Sequence, residues 1–164
     1  MAKNYRKGAV GALLDIYEQA ILDFKKVIEN IPDDALTVIT DPQTLDENCK
    51  SIQTILSHVV HSSYGYATNI HNLKGHNVKR KDKVFHLTIK EYLQDLADAF
   101  SFTESVFSEI EDSELEEFDN SLKMKVSWGQ FYDIEQLTEH AIVHIFRHKR
   151  QIEKIKEGHF QTNR

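Results

Sequence analysis

Four long stretches of the chain place apolar residues three and four positions apart, and this spacing restricts the fold more than any other feature. They run from about Ala9 to Ile31, from near Asn48 to Gly75, from Thr88 to Ile110, and from Ile134 to Glu157. A period of about 3.6 residues brings such side chains onto one face of an α-helix. No stretch shows a strong alternation of apolar and polar residues, as a half-buried strand would. The pattern therefore predicts an all-α protein.

Residues that begin and end helices support these limits. Gly75 can adopt the left-handed backbone conformation that commonly ends a helix, and it is predicted to end the second helix. Thr88 and Glu91 have the spacing of a capping box at the start of the third helix, and Asp133 is a cap for the fourth. The hydrophobic residues from Leu122 to Trp128 predict a short extended segment across the end of the packed helices. Long connections therefore separate the helices.

The length of the chain suits one domain. With 164 residues, it can bury roughly 70% of its unfolded surface in a single core. We found no internal repeat and no low-complexity tract, and we predict one domain spanning residues 1–164. Cys49 is the only cysteine, so the chain has no disulfide framework, which suits a reducing cytoplasm. Cys49 is interpreted as a packed or capping residue, with a reactive thiol as the alternative.

The net charge of the chain restricts the kinds of molecule that it is expected to bind. Twenty basic and 26 acidic residues give a formal net charge of −6, which argues against binding to a phosphate backbone. The basic runs at 79–81 and 147–150 are interpreted as a solvated loop and as a complement to a helix dipole. Charged residues such as Asp15 and Lys25 interrupt the first apolar stretch, so it is neither a signal segment nor a membrane span. We expect a soluble, cytoplasmic protein with no nucleic-acid or membrane partner.

The last helical stretch carries His140, His144 and His148, each four residues after the one before. Side chains four apart lie one above the other on a helix, so two imidazoles in adjacent turns can hold one ion. On a helical wheel His148 lies within roughly 20° of the centre of the apolar stripe, His144 about 60° from it and His140 about 100°. His144 and His148 therefore face inward. A shared metal ion would satisfy buried nitrogens that otherwise need hydrogen-bond partners.

A third ligand has to come from another element. His58 lies about 110° from the centre of the second stripe and can reach the rim of the core, whereas His61 lies nearly opposite the centre and is predicted to face solvent. The remaining histidines fall in or near presumed loops and termini: His71, His76, His86 and His159. Three neutral imidazoles with an open position filled by water match a catalytic zinc site better than a structural one.

Other metal signatures are missing from the sequence. No glutamate is followed three residues later by histidine, as a di-iron bundle requires. The zincin pattern His-Glu-x-x-His is absent, and its reversed form fails because Gln136 stands at the first ligand position. The lone Cys49 excludes a zinc site built from cysteines. A site built from histidines is what remains.

Two segments together resemble a known family. Ser51-Ile-Gln-Thr-Ile-Leu-Ser-His58 looks like a second-helix segment that ends in a first ligand, and His140-Ala-Ile-Val-His144-Ile-Phe-Arg-His148-Lys-Arg-Gln151 looks like a closing His-x-x-x-His element. These are features of the DinB/YfiT-like metal-binding proteins, whose helix order and spacing agree along nearly the whole chain. The resemblance implies a four-helix bundle in which His58, His144 and His148 hold one divalent ion, typically zinc or nickel. Many relatives have Arg-Gly where this chain has Lys149-Arg150.

The resemblance also shapes the expected function. Some relatives are thiol S-transferases that use low-molecular-weight thiols, a related branch includes a thiol-dependent maleylpyruvate isomerase, and many have no known reaction. We therefore expect a metal-dependent enzyme acting on a small-molecule substrate, such as a low-molecular-weight thiol. The alternatives are a metal-dependent hydrolase and a non-catalytic metal-binding scaffold, with a homodimer as a further expectation. Three imidazoles alone do not select the metal.

An aromatic group precedes the fourth helix. Trp128, Phe131 and Tyr132 lie within a turn or two of the predicted ligand helix. They can wall one side of a pocket above the metal, or they can form a hydrophobic plug at the end of the bundle. The sequence leaves both interpretations open.

Overall fold

The structure, a computed structural model, describes residues 4–160 as four long helices, four short 3₁₀ turns and one hairpin of two strands. The helices are α1 (Gly8–Ile28), α2 (Ile52–Leu73), α3 (Ile89–Phe107) and α4 (Ile134–Phe160). The strands β1 (Met124–Lys125) and β2 (Phe131–Tyr132) pair antiparallel. The predicted all-α fold with four helices is confirmed. Residues 1–3 and 161–164 of the predicted domain, and the side chain of His159, lie outside the described part.

The four helices form a bundle. Helices α1 and α2 each pack against both α3 and α4, so α1 and α2 occupy diagonal corners. Every helix contributes to the core: Phe24, Ile55, Leu96 and Ile145 are all fully buried. Burial of one such side chain contributes about 1.5–3 kcal/mol. The core therefore fixes α2 against α4, the two helices that carry the predicted metal ligands.

The second helix begins at Ile52, four residues later than predicted. The Ser51 hydroxyl accepts a hydrogen bond from the Thr54 backbone N–H (3.2 Å), and the Thr54 hydroxyl accepts one from the Ser51 N–H (3.0 Å). This reciprocal cap satisfies two backbone donors and starts the helix there. Residues Glu47–Cys49 form a separate 3₁₀ turn, capped by the Asp46 side chain. His58 consequently lies in the second turn of α2.

Two other helices end earlier than the apolar pattern predicted. Helix α1 ends at Ile28 and α3 at Phe107, one turn before Ile31 and Ile110. The chain continues through bonds of the 3₁₀ type, from the Ile31 N–H to the Ile28 carbonyl and from the Ile110 N–H to the Phe107 carbonyl. Ile31 and Ile110 are nevertheless buried. The apolar stripe thus extends one turn beyond the α-helical hydrogen bonds.

The connection before α4 folds as predicted at both of its ends. The predicted extended segment contains β1, and Gly129, with a φ of +90°, turns the chain back into β2. Asp133 caps α4, since its side chain accepts from the Gln136 N–H (2.8 Å) and its own N–H donates to the Gln136 side chain (3.1 Å). The hairpin contacts α2 and α4. No helix in the described part of the chain has a stretch long and apolar enough to traverse a bilayer.

Candidate metal centre

Three histidines that are distant in sequence meet where α2 packs on α4. The Nε2 atom of His58 lies 2.9 Å from the Nε2 atom of His144, and the Nε2 atom of His148 lies 3.2 Å from that same atom. One ring nitrogen from each residue lies within 4.8 Å of the other two. The structure therefore brings together the three residues that the sequence nominated as ligands. We refer to His58, His144 and His148 as the histidine cluster.

All three imidazoles are held neutral. His144 and His148 are each only 6% exposed, and His58 is half-buried. Burial is the largest cause that lowers each pKa: that of His58 falls to about 4, that of His144 falls to about 2, and that of His148 is also lowered. The neutral ring is the form that binds a metal ion. The cluster therefore requires no loss of protons before it can bind one at pH 7.

Gln151 determines which nitrogen of His148 carries the proton. Its side-chain oxygen lies 3.0 Å from the Nδ1 atom of His148. An amide oxygen only accepts hydrogen bonds, so Nδ1 of His148 is the protonated nitrogen and Nε2 keeps its lone pair. That lone pair points into the cluster. A partner of this kind fixes the orientation of a metal-binding imidazole.

The remaining contacts of the cluster suit a cation. The buried Nδ1 atom of His144 has no hydrogen-bond partner among the described residues. If Nδ1 of His144 is the protonated nitrogen, its Nε2 lone pair faces that of His148 at 3.2 Å. Two lone pairs repel at this distance unless a cation lies between them. Zinc–nitrogen bonds of about 2.0–2.1 Å separate tetrahedral ligands by about 3.3–3.4 Å, so the His144 nitrogen would move away from those of His58 and His148 by only a few tenths of an ångström.

A cavity of about 750 Å³ opens beside the cluster. His58 and His144 form part of its wall, together with Tyr66, Trp128 and His140. Its volume is within the range of about 300–1,000 Å³ that is typical of small-molecule sites. Trp128 therefore forms part of a pocket wall, one of the two interpretations that the sequence left open. We call this space the central cavity.

The two flanking histidines line the central cavity without joining the cluster. His140 stacks on Trp128 with ring centroids 4.9 Å apart, and its ring centroid lies 6.3 Å from that of His144. This position agrees with its predicted place at the flank of the stripe. His61 was predicted to face solvent, and its side chain is partly exposed at the surface. It is half-buried, and its Nδ1 atom lies 3.0 Å from the Lys81 carbonyl oxygen, because the connection after α2 folds back over the helix.

A second group of potential ligands lies at the other end of α2. His71 and His76 stack in parallel with ring centroids 3.7 Å apart, and His76 contacts the Glu109 carboxylate at 2.8 Å. Imidazole nitrogens bind in the plane of the ring. Two parallel rings separated by a stacking distance cannot both direct a lone pair at one ion. Of the two groups, the histidine cluster is therefore the better candidate for a metal centre.

Sequence reasoning missed three residues of this region. Gln151 follows His148 by three positions, a spacing that places two side chains on one helix face, and this signal was available. Arg80 was interpreted as part of a solvated loop and Arg147 as a complement to a helix dipole, yet both line the central cavity. No local pattern identifies Arg80, because the connection that carries it reaches the cavity through tertiary packing.

We predict that Gln151→Leu lowers metal affinity about 10- to 100-fold, because removal of a group that orients a metal-binding imidazole typically has an effect of this size. Calorimetric titration of the metal-free protein with zinc measures the change. Gln151→Glu is the matched control, since it keeps an acceptor oxygen opposite Nδ1 of His148 and should bind zinc at least as tightly as the wild type. Equal affinities for the leucine variant and the wild type would contradict the role of Gln151.

Acidification should destabilise the metal-free protein. An unfolded histidine has a pKa near 6.5, whereas burial holds those of folded His58 and His144 at about 4 and about 2. Between these values the unfolded chain binds more protons, so stability rises with pH. The contribution is complete above pH 6.5 and declines as pH falls toward 4. Urea unfolding midpoints over this interval measure it, and His144→Asn should show a shallower decline. Identical profiles for the variant and the wild type would contradict the pKa shift.

Comparisons with known proteins agree with this architecture. The sequence profile of the DinB family matches residues 7–155, a range that contains all three clustered histidines and Gln151. The crystal structure of a conserved protein from Enterococcus faecalis is similar, with a TM-score of 0.60 and 11% identity, over 92% of this chain and 96% of that one. At this level of identity the likeness concerns the fold. No curated protein matches the chain.

Proposed function

Since the chain belongs to the DinB family, we propose that its histidine cluster holds one divalent metal ion and that the protein is a metal-dependent enzyme acting on a small molecule. One observation carries the proposal: three neutral ring nitrogens converge at the wall of a cavity of ligand size. Structural zinc sites use four protein ligands, whereas catalytic sites use three and leave a position for water or substrate. A three-histidine set beside a cavity belongs to the second class.

We propose zinc or nickel as the ion, since imidazole ligands suit both. His58, His144 and His148 would hold it, and Gln151 would keep His148 in the binding tautomer. A bound ion of this kind acts as a Lewis acid and lowers the pKa of a coordinated water or thiol. Tyr66 and Trp128 supply the aromatic wall against which the substrate packs.

The reaction that we propose is transfer of a low-molecular-weight thiol to an electrophilic small molecule. Resemblance to thiol S-transferases supports it, as does the soft character of thiolate, which zinc and nickel accept well. The thiol releases its proton to water, its sulfur forms a bond to the electrophilic carbon, and the leaving group departs with the electron pair of the bond that breaks. The alternatives are hydrolysis, in which water replaces the thiol, and a non-catalytic scaffold in which the ion only stabilises the bundle.

The test combines metal content with activity. The wild type and His148→Ala are stripped of metal, reconstituted with zinc or nickel, and analysed for bound metal by mass spectrometry. Both are then assayed with cysteine or glutathione and an aryl halide, and with an aryl ester in the absence of thiol. We expect about one ion per chain and a thiol-dependent rate that the variant loses. A rate on the ester alone would identify a hydrolase, and equal rates for both proteins on every substrate would support the scaffold.

A further inference from the structure

Positive charge gathers around the central cavity. Four cationic side chains of the described residues line it, Arg80, Lys83, Lys125 and Arg147, and within residues 4–160 no aspartate or glutamate does. The chain as a whole has the opposite balance, with 26 acidic and 20 basic residues. A concave surface lined by one sign of charge raises the local concentration of the opposite sign. The cavity is thus a region of positive potential in an acidic protein.

These cations lack ion-pair partners in the part of the chain that the structure describes. Among the described residues, none of the four forms an ion pair with an acidic side chain within 4 Å. Arg80 donates to the backbone carbonyl of His61 from Nε (3.0 Å) and from a terminal nitrogen (2.7 Å). Lys83 donates to the side-chain oxygen of Asn48 at 2.6 Å. Both acceptors are uncharged.

Two neighbouring cations in the same connection do form ion pairs with carboxylates. Lys79 pairs with Asp82 at 3.1 Å, and Lys81 pairs with Asp95 at 3.6 Å. Arg80 lies between these two lysines in sequence and remains unpaired with acid. Lys79 and Lys81 thus have carboxylate partners, whereas Arg80 and Lys83, the two cations of this connection that line the cavity, have none within 4 Å among the described residues.

Lys83 is half-buried, whereas Arg80, Lys125 and Arg147 are exposed residues that line the cavity. Burial is the largest cause that lowers the pKa of both Arg80 and Lys83, and the charge of Arg80 lowers the pKa of Lys83 further. The negative charge of Asp46 raises the pKa of Lys83, although the two side chains form no ion pair. Charges that are desolvated and close to like charges are unfavourable until an anion joins them.

Gly65 makes room for one of these cations. The Arg80 guanidinium packs against α2 so closely that a Cβ atom at position 65 would lie 2.7 Å from its Cζ and Nε atoms. Glycine inside a helix costs about 0.5–1 kcal/mol relative to alanine. The glycine thus weakens the helix locally and lets Arg80 lie at the cavity wall.

We propose that the central cavity binds a small organic anion, with a carboxylate or a phosphate held by Arg80, Lys83 and Arg147 beside the histidine cluster. The proposal deepens the function proposed above, because it takes this anion to be a substrate of the same site. Charge-assisted hydrogen bonds from arginine and lysine are the usual recognition of both groups. Trp128 and Tyr66 would contact the uncharged part of the molecule.

Trp128 provides a direct measurement, because it is the only tryptophan and lines the cavity. Its fluorescence is titrated in metal-free protein, after removal of the chelator, with succinate, methyl phosphate and the uncharged analogue succinamide. We expect saturable binding of at least one anion, with an affinity at least tenfold above that for succinamide. The tighter of the two anions identifies the group that the cavity prefers. Anions that bind no better than succinamide would overturn the proposal.

Matched variants test the location. Lys83→Gln and Arg147→Gln should each weaken anion binding about tenfold, as expected for loss of a charge-assisted hydrogen bond. Arg150→Gln removes the same charge from α4 at an exposed residue that does not line the cavity, and it should bind like the wild type. Equal losses from Arg147→Gln and Arg150→Gln would mean that the whole surface attracts the anion, and this would overturn the proposed site.

Gly65→Ala separates the anion site from the stability of the fold. The added methyl group displaces the flexible Arg80 guanidinium, so anion binding should weaken several-fold while the melting temperature stays equal or rises. Metal content, measured separately, should be unchanged. Anion binding in a protein that takes up no metal would contradict the proposed function and leave the anion site standing. Metal uptake in a protein that binds no anion would contradict the anion site and leave the proposed metal-dependent function standing.

Discussion

Replacement of His144 by alanine is expected to lower the affinity for zinc or nickel on the order of 100- to 1,000-fold. Structural zinc sites gain about 10–16 kcal/mol from four ligands, so one ligand accounts for roughly 2.5–4 kcal/mol. His58→Ala and His148→Ala should have effects of the same size, since the three ring nitrogens lie within 4.8 Å of one another. Competition with a chromophoric chelator measures each affinity.

His61→Ala is the control for these variants. It lies on the same helix as His58 and lines the central cavity, but one of its ring nitrogens already contacts the Lys81 carbonyl. Its affinity should stay within about threefold of the wild type, and His71→Ala should also have little effect. His140→Ala should be intermediate, because this residue stacks next to the cluster. A metal site lost in His61→Ala and kept in His58→Ala would show that the cluster is not the site.

Metal binding is expected to raise the melting temperature by about 8–16 °C. A ligand present at 1,000 times its dissociation constant stabilises the folded state by about 4.1 kcal/mol, and each kcal/mol shifts the midpoint of a chain of this length by about 2–4 °C. Circular dichroism at increasing zinc concentration, followed by addition of a chelator, measures the rise and its reversal. His148→Ala should show almost none of it. An equal rise in that variant would place the ion elsewhere, with His71, His76 and Glu109 as the first group to examine.

The fold and the histidine cluster could be predicted because both depend on a periodic signal. Apolar residues repeat with the helix turn, and the same wheel that identifies the buried face places His144 and His148 on it. The helical wheel alone did not identify His58 as a ligand, since it placed this residue only at the rim of the core. The family resemblance completed the set, and packing of α2 on α4 brings His58 within 2.9 Å of His144.

Helix ends were less predictable, because burial and helical hydrogen bonding stop at different residues. Ile31 and Ile110 are buried as part of the stripe, although the α-helices end one turn earlier. The start of α2 depended on a different detail. The Ser51 and Thr54 side chains cap the helix at Ile52, whereas the apolar pattern could not distinguish this start from one near Asn48.

The cavity wall could not be predicted, because it is formed by contacts between segments that share no period. Arg80 lies against Gly65, fifteen positions earlier in the chain, and only the path of the connection brings them together. The contact between His61 and the Lys81 carbonyl could not be predicted for the same reason, since a helical wheel contains no information about a loop that returns over the helix. Basic residues in such a loop resemble ordinary solvated charge until the fold is known.

The histidine cluster lies on helices, whereas part of the cavity wall lies on connections, and this difference affects how such proteins can diversify. The cluster belongs to α2 and α4, whose packing a mutation in the core would disturb, whereas Arg80, Lys83 and Trp128 belong to the connections on either side of α3. Connections accept substitutions and changes of length more readily than packed helices do. Mutation can therefore change the wall of the central cavity while the three clustered histidines stay where they are. An ancestral bundle could give rise to descendants whose cavities differ in lining and whose three histidines are the same.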